Sequence, residues 1–144
     1  MTAIEALQET LAAEHATTYV YGVIGAHTSR SATPVLFASV TDAYRTHRDR
    51  RDELTSMLRD LGAEPVAAAP VYAAPAGLDA TARVERAAAR LERACAQVYA
   101  AQVAATEGAA RSWAVAALGD AAIRELGFGA RPSAFPGAPD LANW

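Results

Sequence analysis

A proline- and alanine-rich segment in the middle of the 144-residue chain constrains the fold more than any other feature. The segment AEPVAAAPVYAAPAGLD (63–79) contains three prolines and little charge, so it cannot continue a helix. As extended chain it spans about 50 Å at roughly 3.1 Å per residue. A helix over 34–61, which would precede it, is about 40 Å long at 1.5 Å per residue. The segment is therefore long enough to return along a whole helical bundle, and we predict a crossover connection.

Helical periodicity on both sides of this crossover predicts an all-α four-helix bundle in a single domain, 1–144. Apolar and small residues recur every three or four positions, and the predicted helices are about 2–28, 34–61, 80–105 and 107–126. Short connections join the first pair and the second pair, so each pair is expected to be an antiparallel hairpin.

Local signals predict where these helices begin and end. Gly62 is expected to terminate the second helix, while Asp79 and Thr106 are the predicted N-caps of the third and fourth. The inner stripe of the fourth helix is predicted to contain Trp113, Ala116, Ala117, Ile123 and Leu126. The tail 127–144 is rich in glycine and proline, and we expect it to pack along the bundle through Phe128, Phe135, Leu141 and Trp144.

Composition and charge exclude several functional classes. The net charge of −3 argues against a general nucleic-acid binder. No apolar run reaches the roughly 18 residues of a membrane span, and the N-terminal residues lack a basic region followed by an apolar one. The single cysteine, Cys95, fits a reducing compartment. We therefore expect a cytoplasmic protein that contacts neither membrane nor nucleic acid.

The inward-facing positions of each helix recur every three or four residues. In each helix one of these positions is occupied by an ionisable residue, which is expected to lie towards the bundle centre. Buried charges at these positions would cost several kcal/mol each unless they neutralised one another. On the second helix, Tyr44 and either Arg50 or Arg51 are also expected to face inward. The four central positions are Glu14, His47, Glu92 and Asp120.

Helical periodicity places some residues of the arginine-rich stretch DAYRTHRDRR (42–51) on the outward face of the second helix and others on its inward face. Its outward residues alternate with acids, and the i,i+4 pairs Arg45–Asp49 and Arg48–Asp52 are typical of a solvated, internally paired face. This pattern favours a helix surface over a nucleic-acid-binding patch.

Several stretches together resemble the ferritin-like superfamily, and more narrowly the alanine-rich actinobacterial ferritin-like domain family of unknown function. They are LAAEHATTYVYGVIGAH (11–27), HRDRRDEL (47–54), the crossover and FPG (135–137). The resemblance implies a ferritin-like fold over nearly the whole chain. Di-iron members of the superfamily use a Glu from each of two helices and Glu-x-x-His from the other two.

This sequence matches only part of that metal-binding pattern. Glu14 and Glu92 match the lone glutamates, but no Glu is followed three residues later by His. We therefore expect no cofactor, and the polar centre is interpreted as structural, or as binding a small molecule or partner, in a protein that is not an enzyme. The alternative is a divergent di-metal oxidase or metal-handling protein, which would hold iron or manganese on Glu14, His47, Glu92 and Asp120.

Two further expectations concern ligands and partners. The alanine-rich inner faces permit a pocket floored by Tyr19, Tyr21 and Tyr44. Apolar residues on the first helix, Val20, Val23 and Ile24, are predicted to provide surface for a homodimer.

Overall fold

The computed structural model describes residues 1–143, and every regular element in them is helical. Four long helices are followed by a short 3₁₀ helix, Pro139–Asn143. The all-α class and the four-helix bundle are confirmed. The long helices are α1 (Ala3–Gly25), α2 (Pro34–Asp60), α3 (Thr81–Ala105) and α4 (Gly108–Gly127).

Helix pairing follows the lengths of the connections. α1 packs on α2, α3 packs on α4, and α1 also packs on α3 across the bundle. Short connections, 26–33 and 106–107, join the two hairpins. α1 and α3 run in opposite directions, because Thr17 lies beside Cys95 whereas Tyr21, further along α1, lies beside the earlier residue Glu92.

The crossover runs along α1, in the same direction as this helix. Gln8 donates a hydrogen bond to the carbonyl oxygen of Glu64 and accepts one from the amide of Val66. Further along α1, the rings of Tyr19 and Tyr72 lie 5.6 Å apart. The segment is thus a lengthwise return, as its length predicts.

Two predicted caps are wrong, because the chain uses these side chains elsewhere. Ala80 occupies the N-cap of α3, and Asp79 instead accepts a hydrogen bond from Arg83 at 3.0 Å. Only two residues separate α3 from α4, and Thr106 ends α3 by donating its hydroxyl to the carbonyl oxygen of Gln102. Glu107 is therefore left at the N-cap of α4.

The inner face of α4 is rotated from the predicted one. Ile123 is 70% exposed and Leu126 is 44% exposed, so neither belongs to the core. Small side chains face inward instead and let α4 approach α3 closely. The buried residues of α4 are Ala114, Ala117, Ala121 and Glu125.

The apolar residues of α1 that the sequence predicts to form a homodimer surface belong to the core. Val20 and Ile24 are buried in one cluster with residues of α2 and α3, and Val23 packs against that cluster. The predicted dimer surface on α1 is therefore wrong.

Of the predicted side chains, Phe128 packs in the core, and beyond it the tail docks on α3 through a glycine. Phe128 is buried, but Phe135 and Leu141 are about half exposed, and Trp144 lies outside the described residues. Gly137 has a positive φ of 75°, and a Cβ there would overlap the carbonyl oxygen of Ala96. The FPG segment therefore meets α3 at a backbone contact that requires glycine.

Over the described residues, no helix combines the length and the apolarity that crossing a membrane requires.

We expect Gly137→Ala to detach the tail and to lower the free energy of unfolding by about 1–3 kcal/mol. Alanine disfavours the positive φ of this position, and its Cβ would overlap the carbonyl group of Ala96. Urea unfolding and limited proteolysis of the tail measure both effects. Gly22→Ala is the control, since Gly22 is helical and an added Cβ would point into open space. Equal protease resistance of the Gly137→Ala tail and the native tail would contradict this docking.

Candidate functional site

Three buried ionisable side chains from three helices meet at the bundle centre. Glu14 of α1, His47 of α2 and Glu92 of α3 are each at most 1% exposed. His47 Nδ1 lies 2.7 Å from Glu14 Oε2, and His47 Nε2 lies 3.2 Å from Glu92 Oε1. We call these three residues the central triad.

The geometry of the central triad assigns a positive charge to His47. A neutral imidazole donates from one nitrogen only, and the other would direct a lone pair at a carboxylate. Burial alone would lower the pKa of His47, but the hydrogen bonds and charges of Glu14 and Glu92 outweigh burial and raise the pKa to about 9. The ring is therefore an imidazolium at neutral pH, placed between two carboxylates.

Two buried tyrosines complete the hydrogen bonds of the carboxylates. The Tyr21 hydroxyl donates to Glu92 Oε1 at 2.5 Å, and the Tyr99 hydroxyl donates to Glu14 Oε1. Burial raises the pKa of both hydroxyls, and the neighbouring carboxylate charges raise it further. Both tyrosines are thus neutral donors. The Tyr21 ring also stacks on His47, with centroids 5.4 Å apart.

Arg50 connects this centre to α4. Its guanidinium donates to the Tyr99 hydroxyl at 3.3 Å and to Asp120 Oδ2 at 2.7 Å. Asp120 also accepts from Arg124 of its own helix, and Arg124 reaches Asp42 of α2. Burial opposes the charged form of Asp120, but the two arginines outweigh this and lower its pKa. A continuous hydrogen-bonded chain therefore runs from the central triad to the surface between α2 and α4.

The structure brings together some of the predicted site residues and separates others. Glu14, His47, Glu92 and Arg50 are buried and connected, and Asp120 joins them from the edge of the bundle with a side chain 38% exposed. Asp120 is therefore not on the inner stripe, because α4 is rotated.

Tyr44 does not reach the bundle centre, so its predicted inward direction is wrong, and of the two arginine alternatives Arg50 faces inward and Arg51 does not. Tyr44 is 36% exposed, and Arg51 pairs with its neighbour Asp52. At 100° per residue, both lie on the side of His47 opposite to Arg50. They face the crossover, whereas Arg50 faces α4.

The outward arginine face of α2 is paired, but with a different register from the predicted one. Arg48 binds Asp49 and Arg51 binds Asp52, both between adjacent residues. The predicted pairs Arg45–Asp49 and Arg48–Asp52 do not form, because Arg48 and Asp49, one member of each pair, bind each other.

Tyr99 is the main site residue that the sequence analysis missed. It follows Glu92 by seven residues, so the helical period that places Glu92 inward also places Tyr99 inward. Two other pairs were also missed: Arg93 with Glu125, at 2.5 Å, and Thr17 with Cys95, whose thiol has a pKa raised by burial.

A separate, shallow and largely open cavity of about 480 Å³ lies on the surface between α1, α2 and the crossover. Three tyrosines line it, Tyr19, Tyr44 and Tyr72, together with His15 and Arg51. The predicted Tyr21 does not, since its ring lies in the core beside His47. We call this cavity the tyrosine pocket.

Among residues 1–143, no group of three or more His, Cys, Asp or Glu side chains has the arrangement that a metal ion would require. The central triad is compact, but its donors point at one another.

The fold and the centre together define a four-helix bundle with a histidine bridging two buried glutamates. Residues 6–140 match the sequence model of the family described as "Domain of unknown function (DUF4439)", and the chain belongs to this family. It is also similar to a solved structure, "a conserved hypothetical protein, rv2844, from Mycobacterium tuberculosis". The two are 34% identical, with a TM-score of 0.78 over 88% of this chain and 94% of the other. No curated protein matches the sequence.

The raised pKa of His47 predicts a pH-dependent stability. The native pKa of about 9 exceeds the ordinary value of 6.5, so the stabilisation is complete below pH 6.5 and is lost as the pH rises to 9. At about 1.4 kcal/mol per pH unit this amounts to about 3 kcal/mol. Urea unfolding of the native protein and of His47→Gln across this range measures the difference.

His27→Gln is the matched control, because His27 is exposed beyond the end of α1. This variant should keep the native pH dependence, whereas His47→Gln should lose it. If both variants follow the native curve, His47 is not the titrating group.

Proposed function

We propose that the protein is a ferritin-like bundle that binds a small molecule on its surface and whose polar centre is structural, not catalytic. The superfamily assignment is supported by the two hairpins and by the long crossover between α2 and α3. The observation that carries the structural role is the double contact of His47 with Glu14 and Glu92. No member of the central triad is more than 1% exposed, so a substrate has no access to it.

The residues at the centre do not fit a di-iron or di-manganese site. An imidazolium has no lone pair for a metal, and both nitrogens of His47 face carboxylates. The sequence contains no Glu-x-x-His, whereas a di-iron centre of this type uses two. Arg50 adds a fixed positive charge next to Tyr99, which would repel a divalent ion.

One observation favours the alternative of a metal-handling protein. Glu92 Oε2 is buried and has no hydrogen-bond partner among the described residues. A metal bound there would have to displace the proton from His47, and its affinity would therefore rise with pH towards 9.

Elemental analysis after incubation with Fe(II), Mn(II) or Zn(II) separates the two candidates. We expect well below one ion per chain at neutral pH, both for the native protein and for Glu14→Ala/His47→Ala. Near-stoichiometric metal in the native protein that disappears in this variant, but persists in the surface variant His27→Ala/Asp52→Ala, would establish a metal site and overturn the structural interpretation.

The tyrosine pocket is the best candidate for the ligand site. Its volume lies in the range of small-molecule pockets, and its lining combines aromatic rings with several polar groups. His15 donates its Nε2 proton to the carbonyl oxygen of Val66, while the Arg51 guanidinium lines the pocket and also pairs with Asp52. Thr18 also lines the pocket, and its buried hydroxyl has no partner among the described residues. These features fit a molecule with a planar apolar part and an anionic group.

Benzoate and 2-naphthoate are suitable probes of this pocket. We expect titration to shift NMR signals of the residues that line it, with 2-naphthoate binding more tightly because it covers more aromatic surface. Tyr44→Ala and Arg51→Ala should each weaken binding about tenfold, equivalent to about 1.4 kcal/mol. Arg45→Ala, an exposed change on the same helix, should not. Signal shifts spread over other faces, or equal affinity of all variants, would contradict this site.

We also propose a cytoplasmic location, supported by the buried thiol of Cys95, and no nucleic-acid partner, supported by the paired arginines of α2.

A further inference from the structure

From Ser112 onward, the outward face of α4 carries large apolar side chains and no charge. Val115 is 53% exposed, Ile123 is 70% exposed and Leu126 is 44% exposed. With Ser112 and Gly119, these residues form one line along the helix at intervals of three and four. We call these five residues the outer stripe.

Charged residues of α4 between Ser112 and Gly127 all turn away from the outer stripe. Asp120 and Arg124 pair with residues of α2, and Glu125 is buried against Arg93 of α3. The outward faces of α2 and α3, by contrast, display exposed arginines such as Arg48 and Arg90. An exposed helix face without charge, bearing three large apolar side chains, is typical of a surface that another protein covers.

The outer stripe is symmetric about Gly119. Val115 and Ile123 lie four residues before and after it, and Ser112 and Leu126 lie seven residues before and after it. A second copy of α4, related by a two-fold axis through Gly119, would therefore place Val115 on Ile123 and Ser112 on Leu126. Apolar residues would meet apolar residues, and the small serine would meet the large leucine.

Gly119 lies where such a contact needs a small residue. The position of its missing Cβ faces open space, since beyond its chain neighbours and the backbone of α4 no described atom lies within 4 Å. Two helices that cross at glycine approach more closely than the usual 8–10 Å between axes, which lets the flanking side chains interdigitate.

We propose that the outer stripe is the interface of an antiparallel homodimer, in which α4 of one chain packs on α4 of its partner about a two-fold axis at Gly119. The contact is isologous, because the same residues act on both sides. Nothing in it depends on the tyrosine pocket or on the central triad, so it goes beyond the proposed function.

Disulfide trapping in a Cys95→Ala background tests both the interface and its direction. Gly119→Cys should form a covalent dimer under mild oxidation, because the two positions face each other across the axis. Ser112→Cys should not cross-link to itself, since the two copies lie about 21 Å apart along the helix axis. A mixture of Ser112→Cys and Leu126→Cys chains should give the mixed dimer.

Sedimentation equilibrium of the unmodified chain provides the second measurement. The native protein should show concentration-dependent dimerisation, and Ile123→Arg should abolish it without changing the circular dichroism spectrum. Val35→Arg is the control, because Val35 is 80% exposed on another helix and should leave the dimer intact.

Three outcomes would overturn the proposal. They are a native chain that stays monomeric at every concentration, a dimer that survives Ile123→Arg, and self-cross-linking of Ser112→Cys, which would require a parallel arrangement.

Discussion

The cation of His47, held between two buried carboxylates, is the interaction on which the arrangement of the helices depends. Glu14 and Glu92 come from α1 and α3, and both bind a ring that α2 supplies. If one helix slipped by a turn, at least one charge would remain buried without a partner, at a cost of several kcal/mol. Buried ion pairs often add less stability than apolar packing would. The central triad therefore selects one register of three helices and excludes the others.

The residues around the central triad explain how α4 joins the same network. Apolar packing binds α4 to α3, but long polar side chains join it to α2. Arg50 leads from the buried Tyr99 to Asp120, and Arg124 continues from Asp120 to Asp42. This hydrogen-bonded chain thus ends at the surface, on Asp42, whose side chain is 69% exposed. The position of α4 relative to α2 depends on a fixed set of paired charges.

The sequence predicts most of this fold and part of the site, for identifiable physical reasons. Glu14 and His47 lie among large apolar residues at helical spacing, so their inward direction can be read from the pattern. Tyr44 and Arg51 lie within about 60° of His47, and periodicity alone cannot separate them from Arg50. Which side of His47 faces α4 is a property of the packed bundle. Hydrogen-bond partners such as Tyr99 also become evident only when the helices are assembled.

α4 misleads sequence interpretation because its two faces differ from those of an ordinary surface helix. Ile123 and Leu126 are large and apolar, so the usual rule places them inside, yet alanines occupy that side and the large residues face outward. Alanines alone give almost no contrast between faces, so the pattern cannot correct the error. The alanines are needed for close packing of α4 on α3. The packing within one chain gives no comparable reason for the exposure of Ile123 and Leu126. The proposed dimer would supply such a reason, because α4 of the partner would cover the outward face.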